Sequence, residues 1–375
     1  MRSKVNDMLG TEFPILAFTH CRDVAAAVSR TGGFGVLGAV AHTPEQLDID
    51  LKWLEEEIGD RPYGVDLLLP TKYEGSTEGG VTREAVAALM PPGHLEFLDD
   101  VMARYDVPPL PDGERIVGAP LNISPEGVAP LLDVAFSHPI RLIASALGPP
   151  PPYLVERAHD HDVVVAALAG KPVHAERHAA AGADLIVAQG TEAGGHTGEI
   201  ATMVLVPEIV DRVAPVPVLA AGGIGRGRQM AAAMALGAEG VWCGSVWLTT
   251  EEAETEPAVK EKFLLATSGD TVRSRSKTGK PARMLRSAWT EEWDRADTPD
   301  PLPMPLQSAL ITEAEARIRR SAHHQGSGAN QLANYFVGQV VGNMNQAKSA
   351  SQVVLDIVDE FIDAVTDLSV RLEDE

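Results

Sequence analysis

Cysteine is nearly absent: Cys21 and Cys243 are the only two in 375 residues. Two thiols cannot build a disulfide framework, and such sparing use suits a reducing cytoplasm, where the protein is expected to reside. Positive charge is also short, with 31 Lys+Arg against 53 Asp+Glu and a net charge of −22. That balance repels phosphate backbones and excludes nucleic acid as a partner. No uncharged apolar run approaches the roughly 18 residues that span a bilayer. The longest candidate, 213–225, carries two prolines and three glycines, so no membrane partner is expected. The first residues, Met1-Arg2-Ser3-Lys4-Val5-Asn6-Asp7, lack the apolar core of a secretory leader. A Gly-x-Ser-x-Gly elbow is missing, which removes support for a serine hydrolase, and no paired-carboxylate signature points to glycosidase chemistry.

What is present is a chain that is 45% hydrophobic, enough at this length to bury a full core. Length alone predicts two or three domains, or one α/β barrel of about 250 residues with additions. Short apolar runs at 14–18, 34–37, 63–68, 141–144, 163–167, 185–188, 216–220 and 240–243 read as strands. They are nearly continuous Val, Ile, Leu and Ala, as strands of a parallel sheet covered on both faces should be. Ala-rich helical stretches alternate with them at 25–30, 44–58, 153–159, 174–181 and 228–236. Eight such units predict a (β/α)8 TIM barrel, with a doubly wound sheet as the alternative.

Two segments break the rhythm. Residues 71–123, rich in Pro, Gly and acid, form an insertion after the third strand, with a helix predicted near 93–105. The insertion stands where a barrel builds its active site, so it is expected to act as a pocket lid. After about Thr250 the periodicity is helical only, and 349–372 reads as one amphipathic helix. The expected domains are therefore a barrel at 1–70 and 124–250, the insertion 71–123, and a C-terminal helical region 251–375. The apolar stripe of the last helix serves packing within the chain or a homodimer. Arg273, Arg275, Lys277, Lys280, Arg283 and Arg286 form the single positive run. It is either a solvated loop or a patch that meets an anionic substrate or cofactor.

The densest chemical signal is Ala188-Gln189-Gly190-Thr191-Glu192-Ala193-Gly194-Gly195-His196-Thr197-Gly198, directly after the sixth strand. Loops at that end of a barrel carry its active site. Glycines there let backbone N–H groups approach a flat or anionic ligand, and a histidine among them can move a proton near neutral pH. Gly222-Gly223 follows the seventh strand and Gly244-Ser245 the eighth, the two loops between which barrels hold phosphate. Gly225-x-Gly227 lacks the third glycine and distal acid of a dinucleotide fingerprint.

The other histidines point less clearly. The pairs His159/His161 and His174/His178 have metal-compatible spacing but stand away from the strand ends, and a solvated helix face accounts for them. His323-His324 sits in a Gly/Ser-containing linker. His20 follows the first strand directly, so it either lines the mouth or starts a helix. Cys21 and Cys243 fall at neighbouring strand ends, as packing residues or as a redox pair.

The Ala188–Gly198 string, with Ala220-Ala221-Gly222-Gly223, Gly244-Ser245 and the early Gly10-Thr11-Glu12-Phe13-Pro14-Ile15, resembles the nitronate monooxygenase family. The likeness runs to about Thr250 and more loosely beyond, and it extends to an actinobacterial subgroup of monooxygenases. The resemblance implies an FMN-dependent barrel that oxidises nitronates and nitroalkanes with O2 to a carbonyl compound and nitrite. It places the catalytic histidine on His196. It places flavin contacts on Asp66, Gln189, Gly194, Gly195, Gly222, Gly223, Gly244 and Ser245, the last four holding the phosphate. No metal is implied.

Two departures from the family stand out. Its Ala-Pro-Met after the first strand is Ala17-Phe18-Thr19-His20 here, and its third-strand Asn is Asp66. An anionic Asp66 would disfavour an anionic reduced flavin unless protonated or paired. The same resemblance admits an FMN-dependent NAD(P)H:quinone or CoA-thioester reductase. A flavin-free phosphate-binding lyase or isomerase, or a non-catalytic flavin binder, would use the same loops.

Overall fold

The computed structural model describes residues 2–68, 90–111, 125–146 and 148–373. Eight parallel strands close into a barrel in the order β1, β2, β3, β4, β5, β6, β8, β9. They are β1 Ile15–Thr19, β2 Phe34–Gly38, β3 Tyr63–Leu68, β4 Leu142–Ala146, β5 Val164–Ala169, β6 Leu185–Gln189, β8 Val218–Ala221 and β9 Gly240–Cys243. Each of the eight expected runs becomes one of these strands. β9 pairs back onto β1, with Ala17 opposite Cys243, so the sheet has no edge.

The strands are apolar on both sides because each side meets a different core. Leu16, Phe34, Val36, Leu142, Val187 and Leu219 point inward and fill the barrel. Val65, Ile143 and Val165 point outward against Leu47, Leu51 and Leu54 of the helix Pro44–Ile58. That helix starts where Thr43 and Gln46 cap each other: Gln46 N donates to Thr43 Oγ1 at 3.2 Å and Thr43 N to Gln46 Oε1 at 3.0 Å. The short helix Lys4–Leu9 buries Val5 and Leu9 in the inward cluster, so the N-terminal end of the barrel is plugged. The opposite end, where the strands finish, is left for chemistry.

Of the insertion 71–123, residues 71–89 and 112–123 lie outside the described residues, and with them the expectation of a lid. The helix expected near 93–105 is Pro92–Arg104. It buries Leu98, Val101 and Met102 with Phe263, Trp289 and Ile311 in a cluster apart from the barrel. No described helix is long and apolar enough to cross a membrane.

One expectation for the C-terminal region needs correction. The residues after Thr250 are not helical only, because β10 Thr271–Ser274 and β11 Ala282–Leu285 form an antiparallel hairpin. β11 pairs in turn with β7 Gly195–His196, placing Ala282 opposite His196 and Arg283 opposite Gly195. These strands escape a periodicity reading because each is four residues long and carries basic side chains. The expected last helix is Ala350–Glu373. It crosses Gly227 so closely that a Cβ there would lie 2.2 Å from the Ile357 carbonyl oxygen.

Candidate active site

β6 delivers the glycine-rich string to the open end of the barrel, and the loop is tied down from three sides. Glu192 accepts hydrogen bonds from Thr202 N at 3.0 Å and Thr202 Oγ1 at 2.9 Å, while Thr191 N donates to Ile200 O at 2.8 Å. Arg283 Nε donates to Thr191 O at 2.8 Å, and Arg273 Nη2 to Thr197 O at 3.1 Å. Two members of the basic run, Arg273 and Arg283, therefore clamp this loop. Arg275 donates to the carbonyls of Gly279 and Pro301, and Lys277 pairs with Glu315 at 2.5 Å. Lys280 is exposed, and its charge acts on His196.

Several glycines of the string are required by crowding. A Cβ at Gly190 would lie 2.1 Å from Thr202 Oγ1, and one at Gly194 2.9 Å from Gly338 N. Gly195 differs: its φ is 74° and nothing stands within 4 Å of the Cβ position, so the backbone faces open space. A left-handed conformation beside an open face is where glycine is needed and where a ligand can approach the chain.

His196 Nε2 lies 2.8 Å from Thr278 Oγ1, and its ring centroid is 6.2 Å from that of Phe336. The Thr278 hydroxyl has an acceptor of its own in the Lys280 carbonyl at 3.2 Å. In that arrangement Nε2 donates to Thr278 and Nδ1 carries the lone pair. Burial, and then the Lys280 charge, lower the His196 pKa from 6.5 to about 4. The imidazole is neutral across the physiological range and ready to accept a proton. Lys280→Ala removes the smaller of the two causes. The acid limb of the pH profile, or an NMR titration of His196, is expected to move up from about 4 while staying below 6.5. A downward move would contradict this electrostatic assignment.

Asp66 is on β3, opposite Gly38 of β2 and Ala144 of β4, with the inward parity of the strand. It is 5% exposed, and burial raises its pKa from 3.8 to about 8. At neutral pH the carboxyl is mostly protonated and can donate a hydrogen bond as an amide does. Gln189 ends β6 opposite Ala221, whose side chain belongs to the inward cluster. His20 lines the mouth: its Nδ1 donates to Gly38 O at 2.9 Å, and a Cβ at Gly38 would lie 2.7 Å from its ring. The Phe18 ring meets His20 edge-on at 5.1 Å and stacks on Trp242 at 6.2 Å.

Across the mouth, Gly222 and Gly223 have φ of 104° and 70°, conformations that L side chains rarely adopt. Beside Gly244 the nearest neighbour of a Cβ would be Phe18 at 3.8 Å. Ser245 Oγ accepts from Gly338 N at 2.8 Å, which leaves its own hydrogen free to donate. A cleft of about 310 Å³ lies beside the Gly222-Gly223 turn, bounded also by Glu192, Thr202, Ile224 and Gln339. Neither His196, Asp66, Gln189 nor Gly244 lines it, so it neighbours the mouth without being part of it.

The remaining candidates fall away from this site. His159 faces Asp184 at 3.0 Å, and His161 Nδ1 lies 2.8 Å from Arg157 O. His178 is not on a solvated face as expected: it is 4% exposed, with Nε2 3.0 Å from Leu168 O, because its helix lays that side on β5. No histidine joins a cluster of three metal-ligating side chains among the described residues. Cys21 and Cys243 are buried and unbridged, and Cys21 Sγ donates to Glu252 O at 3.1 Å. The residues that sequence reasoning missed are Thr278 and Phe336. The first stands within the basic run, which was the available signal, and the second follows no motif.

Fold and site together define a barrel enzyme in which the glycine-rich loop after the sixth strand carries His196 and is backed by an antiparallel hairpin. The chain belongs to the nitronate monooxygenase family, whose model matches residues 2–360, and it is an oxidoreductase. A Mycobacterium tuberculosis protein named "Putative monooxygenase Rv1533" is 67% identical over 369 residues, covering 98% of each chain. Among solved structures, nitroalkane oxidase from Streptomyces ansochromogenes is 27% identical with a TM-score of 0.79, over 97% of this chain and 99% of that one. FabK from Thermotoga maritima is 28% identical with a TM-score of 0.71, over 99% of both chains.

Proposed function

We propose that the protein is a cytoplasmic FMN-dependent oxidoreductase of nitronate monooxygenase type. It would oxidise nitronates and nitroalkanes with O2 to a carbonyl compound and nitrite. The observation that carries this reading is His196, a neutral imidazole held at the mouth by Thr278 beside the open Gly195 backbone. The likeness to a nitroalkane oxidase along nearly the whole chain supports it. In this reading residues 1–70 and 124–250 form the FMN-binding barrel. The region 251–375 contributes the hairpin that clamps the histidine loop, and 71–123 is the inserted segment.

The residues present fit the cofactor. Gly222, Gly223, Gly244 and Ser245 would hold its phosphate, since two positive-φ glycines, an uncrowded third and a free hydroxyl hydrogen converge there. Gln189, Gly194, Gly195 and Asp66 would flank its ring. Bound FMN supplies the electron acceptor that no side chain of the protein provides.

The side chains then divide the remaining work. His196 takes the α-proton of a neutral nitroalkane onto its free ring nitrogen, and Thr278 holds the ring in place. A nitronate arrives already deprotonated and bypasses that step. Protonated Asp66 supplies a neutral donor where the family has an amide, so it adds no charge against an anionic substrate or cofactor. Purified protein is expected to be yellow and to release about one FMN per chain on denaturation. A colourless protein that takes up no FMN would overturn the proposal in favour of a flavin-free barrel.

A further inference from the structure

The last helix is docked along only part of its length. Val354, Ile357 and Val358 are buried against the helices Arg22–Arg30 and Gly227–Ala235. Thr31 Oγ1 donates to Ser351 Oγ at 2.8 Å, and Arg226 and Arg228 both reach Glu360 at 2.6 Å. Beyond Phe361 the helix runs on to Glu373 with its apolar residues exposed: Val365 41%, Leu368 57% and Leu372 81%. Those twelve residues extend about 18 Å.

The exposed stripe continues the buried seam. Val354, Val358, Phe361, Val365, Leu368 and Leu372 are spaced 4, 3, 4, 3 and 4 residues apart, the alternation of a coiled-coil core. The positions flanking that core in the exposed half are Ile362, Ala364, Ser369 and Arg371, with no acid among them. Asp359, Asp363, Asp367 and Glu373 all fall on the outer positions of the repeat. In a protein with a net charge of −22, keeping acids off the margins of an apolar seam removes the repulsion that would oppose pairing with an identical helix.

We propose that residues 362–373 form a two-fold interface with the same segment of a second copy, the helices running antiparallel. Direction follows from packing. In a parallel pair the partner's residues 350–361 would lie on the seam face that this chain's own helices Arg22–Arg30 and Gly227–Ala235 already cover. Antiparallel, the partner's docked half lies beyond the end of this helix and both barrels stay clear. Two segments this short bury less than the roughly 1,200 Å² of a stable complex, so the dimer is concentration-dependent.

Sedimentation equilibrium on the full chain from roughly 1 to about 200 µM is expected to show monomer and dimer exchanging with a Kd on the order of 10 µM or higher. The double variant Val365→Glu, Leu368→Glu is expected to stay monomeric throughout with an unchanged melting temperature, since neither residue is packed in the monomer. A wild type that is monomeric at every concentration would overturn the proposal. So would a dimer that survives the double substitution, or a lowered melting temperature, which would show the stripe covered by its own chain. The test reads mass and unfolding alone, so it stands whether or not the protein binds FMN.

Discussion

Replacing His196 with alanine is expected to lower kcat/KM for neutral nitroalkanes by about 10²–10⁴-fold, the usual contribution of a positioned general base. Turnover of the corresponding nitronates is expected to fall less than about tenfold, because their α-proton has already gone. The asymmetry follows from the state of the side chain. An imidazole whose pKa is lowered to about 4 is neutral at neutral pH, so Nδ1 can accept a proton while the Nε2 proton stays engaged with Thr278. Thr278→Val, which keeps the volume and removes the 2.8 Å contact with Nε2, is expected to reduce nitroalkane turnover in the same direction by a smaller factor. Oxygen uptake measured with one compound in both protonation states checks this. Equal losses on the two forms would show that His196 binds the substrate without moving its proton.

The second large effect concerns stability. Asp66 is expected to weaken the fold as pH rises, and Asp66→Asn to remove that dependence. An unfolded aspartate ionises near 3.9, whereas the buried carboxyl holds its proton up to about 8. Between those values the folded chain binds more protons than the unfolded one, so stability falls with rising pH and levels off above about 8. Each unit of difference corresponds to about 1.4 kcal/mol, and the whole interval to a few kcal/mol once relaxation of the site is allowed for. Asparagine keeps the shape and the donor without ionising. Thermal melts should therefore show the variant close to wild type near pH 4–5 and several degrees higher near pH 8–9. A difference that does not change with pH, or a variant less stable everywhere, would mean that Asp66 is charged and paired in the folded protein.

The barrel was legible in the sequence because its eight strands are covered on both faces, which leaves runs such as 185–188 and 240–243 without polar interruption. Their ends shift by one or two residues, since hydrogen bonding continues past the apolar stretch, as at Gln189 and Gly38. His196, Gly222, Gly223 and Ser245 were legible from their place after strands. The hairpin that supports them was not. Thr271–Ser274 and Ala282–Leu285 are each four residues long and hold together through partners distant in sequence, Arg283 reaching Thr191 being one. For the same reason the basic run read as either a solvated loop or a ligand patch, whereas Arg273, Arg275, Lys277 and Arg283 end on the chain's own carbonyls and acids. Asp66 was visible as a departure from the family. Its protonation depends on burial, which a sequence does not display.

Alkyl nitronate offered to the purified protein in aerobic buffer without NAD(P)H tests the central claim most directly. Nitrite is expected to accumulate as oxygen is consumed. A nitronate left untouched by flavin-loaded protein, while NAD(P)H bleaches the flavin, would contradict it and make this barrel a reductase.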